Sequence, residues 1–86
     1  MTASLTIYTE NKPAVIARIA NLLRKRNISI EAIHADTKKM VARVYGAKAS
    51  VIEIIAEFKD ERQCENVARQ IERLINVLKV NSKIKF

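Results

Sequence analysis

The chain has 86 residues, 16 Lys+Arg against 9 Asp+Glu, and a formal charge of +7. Its apolar share of 49%, with one Gly and one Pro, excludes a disordered tail and a collagen-like or linker-like segment. One Cys and one His exclude an internal disulfide scaffold and a zinc site built from this chain alone.

The predicted elements follow from two alternating periods. Leu5, Ile7 and Thr9 recur at spacing two, with Thr6 and Tyr8 between them, which predicts a strand over 3–9. Glu10-Asn11-Lys12-Pro13 breaks it. Asn11 can cap a helix, and Pro13 is tolerated in a first turn because its missing N–H would have no partner there. Ile16, Ile19, Leu22 and Leu23 then step at helical spacing and predict a helix over 14–26. Arg24, Lys25 and Arg26 close it, cations at the negative end of the helix dipole.

Residues 28–37 alternate again. Ile28, Ile30 and Ala32 fall on one face, Ser29, Glu31 and Ile33 on the other. Residues 38–45 either continue this strand or loop out, and Gly46 marks a turn. A third strand over 49–58 puts Ile52, Ile54, Ala56 and Phe58 opposite Val51, Glu53, Ile55 and Glu57. Asp60 can cap a second helix, predicted over 60–75, with the stripe Cys64, Val67, Ala68, Ile71, Leu74, Ile75 and Leu78. The last strand sets Val80, Ser82, Ile84 and Phe86 against Lys79, Asn81, Lys83 and Lys85.

The order β-α-β-β-α-β predicts an α+β, ferredoxin-like fold, with a four-stranded antiparallel sheet and two helices on one face. Residues 1–86 read as a single domain. The other sheet face, carrying Val51, Ile55 and Ile33, is then uncovered, which predicts an interface and a homodimer or larger assembly. No apolar run reaches the roughly 18 residues of a membrane span, so no membrane partner is expected. Met1–Glu10 lacks a basic segment followed by an apolar one, so the expected location is cytoplasmic.

Chemistry of its own is not expected. His34 falls in a strand, Cys64 on the apolar stripe of a helix, and the carboxylates are scattered, so no catalytic constellation, metal site or cofactor site is visible. Nucleic acid is a competing partner, because RNA-recognition motifs share this element order. They need aromatics on the free sheet face, where the third strand here offers Glu53 and Glu57. The basic residues read instead as a solvated surface. The Asn-x-Pro corner before the first helix gathers free backbone N–H groups that suit a small carboxylate, or else are simply capped by Asn11.

The stretch Asn11-Lys12-Pro13-Ala14-Val15-Ile16-Ala17-Arg18-Ile19-Ala20-Asn21-Leu22-Leu23-Arg24-Lys25-Arg26 resembles the Asn-x-Pro-Gly-Val-Leu-x-Arg-Val-x-x-Leu-Phe-x-Arg-Arg of ACT domains. Ile28-Ser29-Ile30-Glu31-Ala32-Ile33 is similar to their Asn-Ile-Glu-Ser-Leu strand. Gln70-Ile71-Glu72-Arg73-Leu74-Ile75-Asn76-Val77-Leu78-Lys79-Val80 is similar to their closing Gln-Leu-x-Lys-Leu-x-Asp-Val-x-Lys-Val. The resemblance is greatest to the ACT domains of acetolactate synthase small, regulatory subunits.

That resemblance implies a non-catalytic regulatory module of branched-chain amino acid biosynthesis. It implies side-by-side dimers, an effector such as valine at their interface, and a catalytic large subunit that carries thiamine diphosphate. By position, Asn11 would meet the effector, Pro13, Ala14, Val15 and Ile16 would shape the loop, and Ser29 would stand for a second Asn. Ala14 replaces the family's Gly, adding a Cβ, and Ser29 loses an amide. These two departures leave open an ACT-like protein–protein scaffold without a working ligand site.

Overall fold

The computed structural model describes residues 1–10, 14–36, 42–44 and 47–85. The elements run β1 (Thr2–Thr9), α1 (Ala14–Lys25), β2 (Ser29–Asp36), β3 (Ala42–Val44), β4 (Ala47–Glu57), α2 (Glu61–Glu72) and β5 (Val77–Lys85). The sheet order is β2-β4-β1-β5, all neighbours antiparallel, with the short β3 also paired to β4. This is the ferredoxin-like arrangement that the alternating periods predict. β3 runs in the same direction as β2 along β4, so part of the 38–45 stretch continues as strand. Gly46, Phe86 and residues 37–41 lie outside the described residues.

The core forms between one sheet face and the helices. Leu5 and Ile7 of β1 pair with Ile54 and Ile52 of β4, and all four are buried. Onto them pack Val15, Ile19 and Leu23 of α1, one residue per turn, and Cys64, Val67 and Ile71 of α2. Val15, absent from the predicted stripe, belongs to this core, while Ile16 and Leu22 are only partly buried at its margin. Phe58, just past β4, is also buried.

Local chemistry sets where the helices stop and start. Asn27 has φ 55° and follows α1. Its N–H donates to the Arg24 carbonyl at 3.0 Å, and the Ile28 N–H donates to the Leu23 carbonyl at 3.0 Å. This is a Schellman motif, completed by the apolar contact class it favours, since Leu23 and Ile28 are both buried. At α2, Asp60 Oδ1 accepts from the Gln63 N–H at 2.8 Å, as the sequence predicts. Gln63 Oε1 in turn accepts from the Lys59 N–H at 2.6 Å.

Four expectations are corrected. α2 ends at Glu72, not 75, and Ile75 is 71% exposed in the turn that follows. The apolar period runs on past the point where Asn76, at φ 74°, reverses the chain. β5 begins at Val77, not Lys79, because a register shift at Tyr8/Thr9 absorbs Leu78 outside the alternation. In β2 a similar shift between Ile30 and Ala32 leaves Glu31 without a cross-strand partner.

The fourth correction follows from the third. Ile30 pairs with Ala56 and Ile33 with Ile54, so both lie on the helix side of the sheet, not on opposite faces. Ser29, Ala32 and His34 share the other face. That open face carries Thr2, Ser4, Thr6 and Tyr8 of β1, with Lys79, Asn81, Lys83 and Lys85 along β5. Val51 and Ile55 stand among Glu53 and Glu57 as isolated, half-buried residues. The expected apolar patch is therefore not on the open face.

A candidate effector site split between the two ends of the sheet

β1 and β2 are both antiparallel to β4, so their C-terminal ends lie together. The loop leading to α1 leaves from that end. It is anchored before it begins. The Thr9 hydroxyl, 2% exposed, donates to the Asn76 carbonyl at 2.7 Å, and the Glu10 N–H donates to the same oxygen at 2.8 Å. The turn between α2 and β5 thus holds the entrance to the β1–α1 corner. Sequence reading missed this clamp, because it runs through the Asn76 backbone carbonyl, which no side-chain pattern announces.

Of the predicted site residues, Asn11 and Pro13 lie outside the described residues. Ala14, Val15 and Ile16 form the first turn of α1, where backbone N–H groups have no partner within the helix. The Ala14 side chain is exposed, Val15 is 2% exposed and committed to the core, and Ile16 is half-buried. Only the backbone of Val15 is therefore available to a ligand.

Ser29 is elsewhere. It opens β2 opposite Glu57, which pairs with Thr2 at the start of β1. About 23 Å of extended chain separates position 29 from position 36, which lies at the loop end. One copy of the chain does not bring Ser29 to Ala14. Beside Ser29, the Glu57 carboxylate binds the N-terminal ammonium of Met1, and the Thr2 hydroxyl donates to it at 2.7 Å. These donors, the ammonium first, hold the Glu57 carboxyl below its ordinary pKa.

β2 is an edge strand, and Ser29 through Ala35 are all exposed. Its helix-side flank carries Ile30 and Ile33, 38% and 48% exposed. Ala20 and Arg24 of α1 border a shallow groove with Ser29 and Ile30 along this edge. An unpaired edge with apolar side chains beside it invites another strand.

Groups able to do chemistry are sparse. His34 is exposed on the open face opposite Glu53. Cys64 is 2% exposed, and burial first, then Glu65 and Glu61, pushes its thiol pKa up. Among the described residues no three His, Cys, Asp or Glu side chains stand close enough to hold a metal, and no helix is long and apolar enough to cross a membrane. Tyr8 is the one aromatic of the described open face, flanked across the sheet by Val51 and Lys79 rather than by stacking partners.

The profile of the AHAS small subunit-like ACT domain matches residues 5–79. A probable acetolactate synthase small subunit of Archaeoglobus fulgidus is 32% identical over 81 residues, 94% of this chain and 46% of its own length. An acetolactate synthase small subunit of Mycobacterium avium is 35% identical over 81 residues, 92% of this chain and 43% of its own. The chain therefore spans less than half the length of these curated relatives. Among solved structures, the acetolactate synthase small subunit of Thermotoga maritima superposes with a TM-score of 0.74 at 24% identity, covering 95% of this chain and 47% of that one. The ACT domain of a GTP pyrophosphokinase from Chlorobium tepidum superposes with a TM-score of 0.76 at 14% identity, covering 96% and 97%. At these identities the two superpositions speak for the fold.

Proposed function

Because the chain belongs to the AHAS small subunit-like ACT domains, we propose that it is a non-catalytic regulatory module of acetolactate synthase. Two copies pair along β2, a branched-chain amino acid such as valine binds at their seam, and its occupancy is passed to a catalytic large subunit. Thiamine diphosphate is that subunit's cofactor. The chemistry is the partner's, and this chain supplies the sensing.

One observation carries the reading: the site residues stand at opposite ends of a single copy, while β2 is an open edge. Antiparallel pairing of two such edges sets position 29 of one copy against the position-36 end of the other. Ser29 of the partner subunit then arrives at the corner made by Asn11, Pro13, Ala14, Val15 and Ile16. A ligand that needs both halves exists only where two copies meet, so it favours the paired state by its differential affinity. The first-turn N–H groups of α1 and the helix dipole suit its carboxylate.

Ala14 and Ser29 favour a second reading, a scaffold that pairs without an effector. Calorimetry separates the two. Titration of valine, leucine and isoleucine into dimeric protein gives saturable heat with at least one of them on the first reading. No heat with any of the three leaves the scaffold.

A further inference from the structure

The helix layer carries its own charged groove, on the side of α1 away from β2. Arg18, Asn21, Leu22 and Lys25 of α1, Arg26 just beyond it, and Leu74 after α2 line a cavity of about 360 Å³. The three cations are exposed, and the two leucines are half-buried and form an apolar floor. α1 contains no acidic residue. The one ion pair among the described residues joins the Met1 ammonium to Glu57 and engages none of these cations. Ile75 follows Leu74 and is 71% exposed, the most exposed large apolar residue among those described.

Cations that no described ion pair engages, arranged around an apolar floor, fit a specific kind of partner. A phosphate backbone would satisfy the cations but not Leu22, Leu74 and Ile75. An apolar helix would satisfy the floor but leave Arg18, Lys25 and Arg26 beside it unpaired. We propose that this groove docks an acidic amphipathic segment of a partner polypeptide, with carboxylates on Arg18, Lys25 and Arg26 and an apolar anchor over Leu22, Leu74 and Ile75. On the reading given above, which this inference rests on, the partner is the catalytic large subunit. The groove is separate from the β2 edge, so a copy paired along β2 still presents it. Effector sensing and partner contact then occupy opposite flanks of α1, and a shift of that helix reaches both.

The test uses the whole chain and the acetolactate synthase large subunit from the same source, with binding followed by interferometry and synthase activity read alongside. The double charge reversal Arg18→Glu/Lys25→Glu is expected to weaken binding at least tenfold, and Ile75→Ser several-fold. Lys79→Glu/Lys83→Glu, a reversal of two exposed lysines on the open sheet face, makes the same charge change and is expected to leave affinity within twofold. Rising salt should weaken the unaltered complex and hardly affect the double variant's residual binding. Sedimentation of each variant confirms that pairing along β2 persists. If the large subunit binds the unaltered chain and the groove variants equally, the groove assignment is wrong while the regulatory reading stands. No complex with the unaltered chain overturns both. If the double reversal instead abolishes binding to a single-stranded RNA oligonucleotide and spares the large subunit, the groove is a nucleic-acid surface and the assignment fails.

Discussion

Replacing Ile30 and Ile33 by Ser is expected to break pairing along β2. Full burial of an Ile side chain is worth about 1.5–3 kcal/mol. In the single copy Ile30 remains 38% exposed and Ile33 48% exposed, and this is the share a second copy can still bury. Scaled by those fractions, the two residues contribute about 1.3–2.5 kcal/mol per copy, or about 2.6–5 kcal/mol per dimer. At about 1.4 kcal/mol per factor of ten, the double variant should raise the dimer dissociation constant roughly a hundredfold to a few thousandfold. Both side chains are at the margin, so the fold itself should survive, which circular dichroism checks. Sedimentation equilibrium reads the constant. The informative control is Val51→Ser, on the open face where sequence reading places the interface. It should leave the constant within a few-fold. If Val51→Ser dissociates the dimer and Ile30→Ser/Ile33→Ser does not, the edge-to-edge reasoning is refuted.

Three further outcomes follow from particular residues. Asn27 sits at φ 55°, so Asn27→Val should cost about 1–2 kcal/mol in urea denaturation while Asn27→Gly changes stability by less than about 0.5 kcal/mol. Because burial raises the Cys64 pKa above 9.0, its stabilising share is complete below the unfolded thiol's pKa and is lost as pH rises through the folded value. The stability gap between the unaltered chain and Cys64→Ala should accordingly narrow above that pH, and a thiol reagent should label the native protein at least about tenfold more slowly than the denatured one. Ala14→Gly with Ser29→Asn restores the backbone approach and the amide that the family's pattern has at these positions. Together they should tighten valine binding by roughly tenfold in calorimetry.

The element order was readable because strand and helix periods alternate cleanly and Asp60 signals its helix. What sequence could not show were the places where one residue drops out of a ladder. Glu31 and Leu78 look like ordinary members of alternating runs, and only cross-strand register reveals that they are bypassed. That single residue in β2 moves Ile33 from the open face to the helix side, and with it the whole argument for where copies meet. The end of α2 was overrun for a related reason. Leu74 and Ile75 keep the apolar period after the helical hydrogen bonds have stopped, and nothing in the pattern marks Asn76 as left-handed. At the candidate site, the residues themselves pointed to the β1–α1 corner and the resemblance to ACT domains added Ser29, but neither showed their separation. Strand direction decides that, and on the proposed reading the site then needs two copies.

The most direct test of a seam-borne effector site is sedimentation equilibrium with and without valine. The account predicts that valine lowers the dimer dissociation constant of the unaltered chain, and that Ile30→Ser/Ile33→Ser, held monomeric, takes up no valine. Equal valine uptake by the monomeric variant and by the dimer would contradict it.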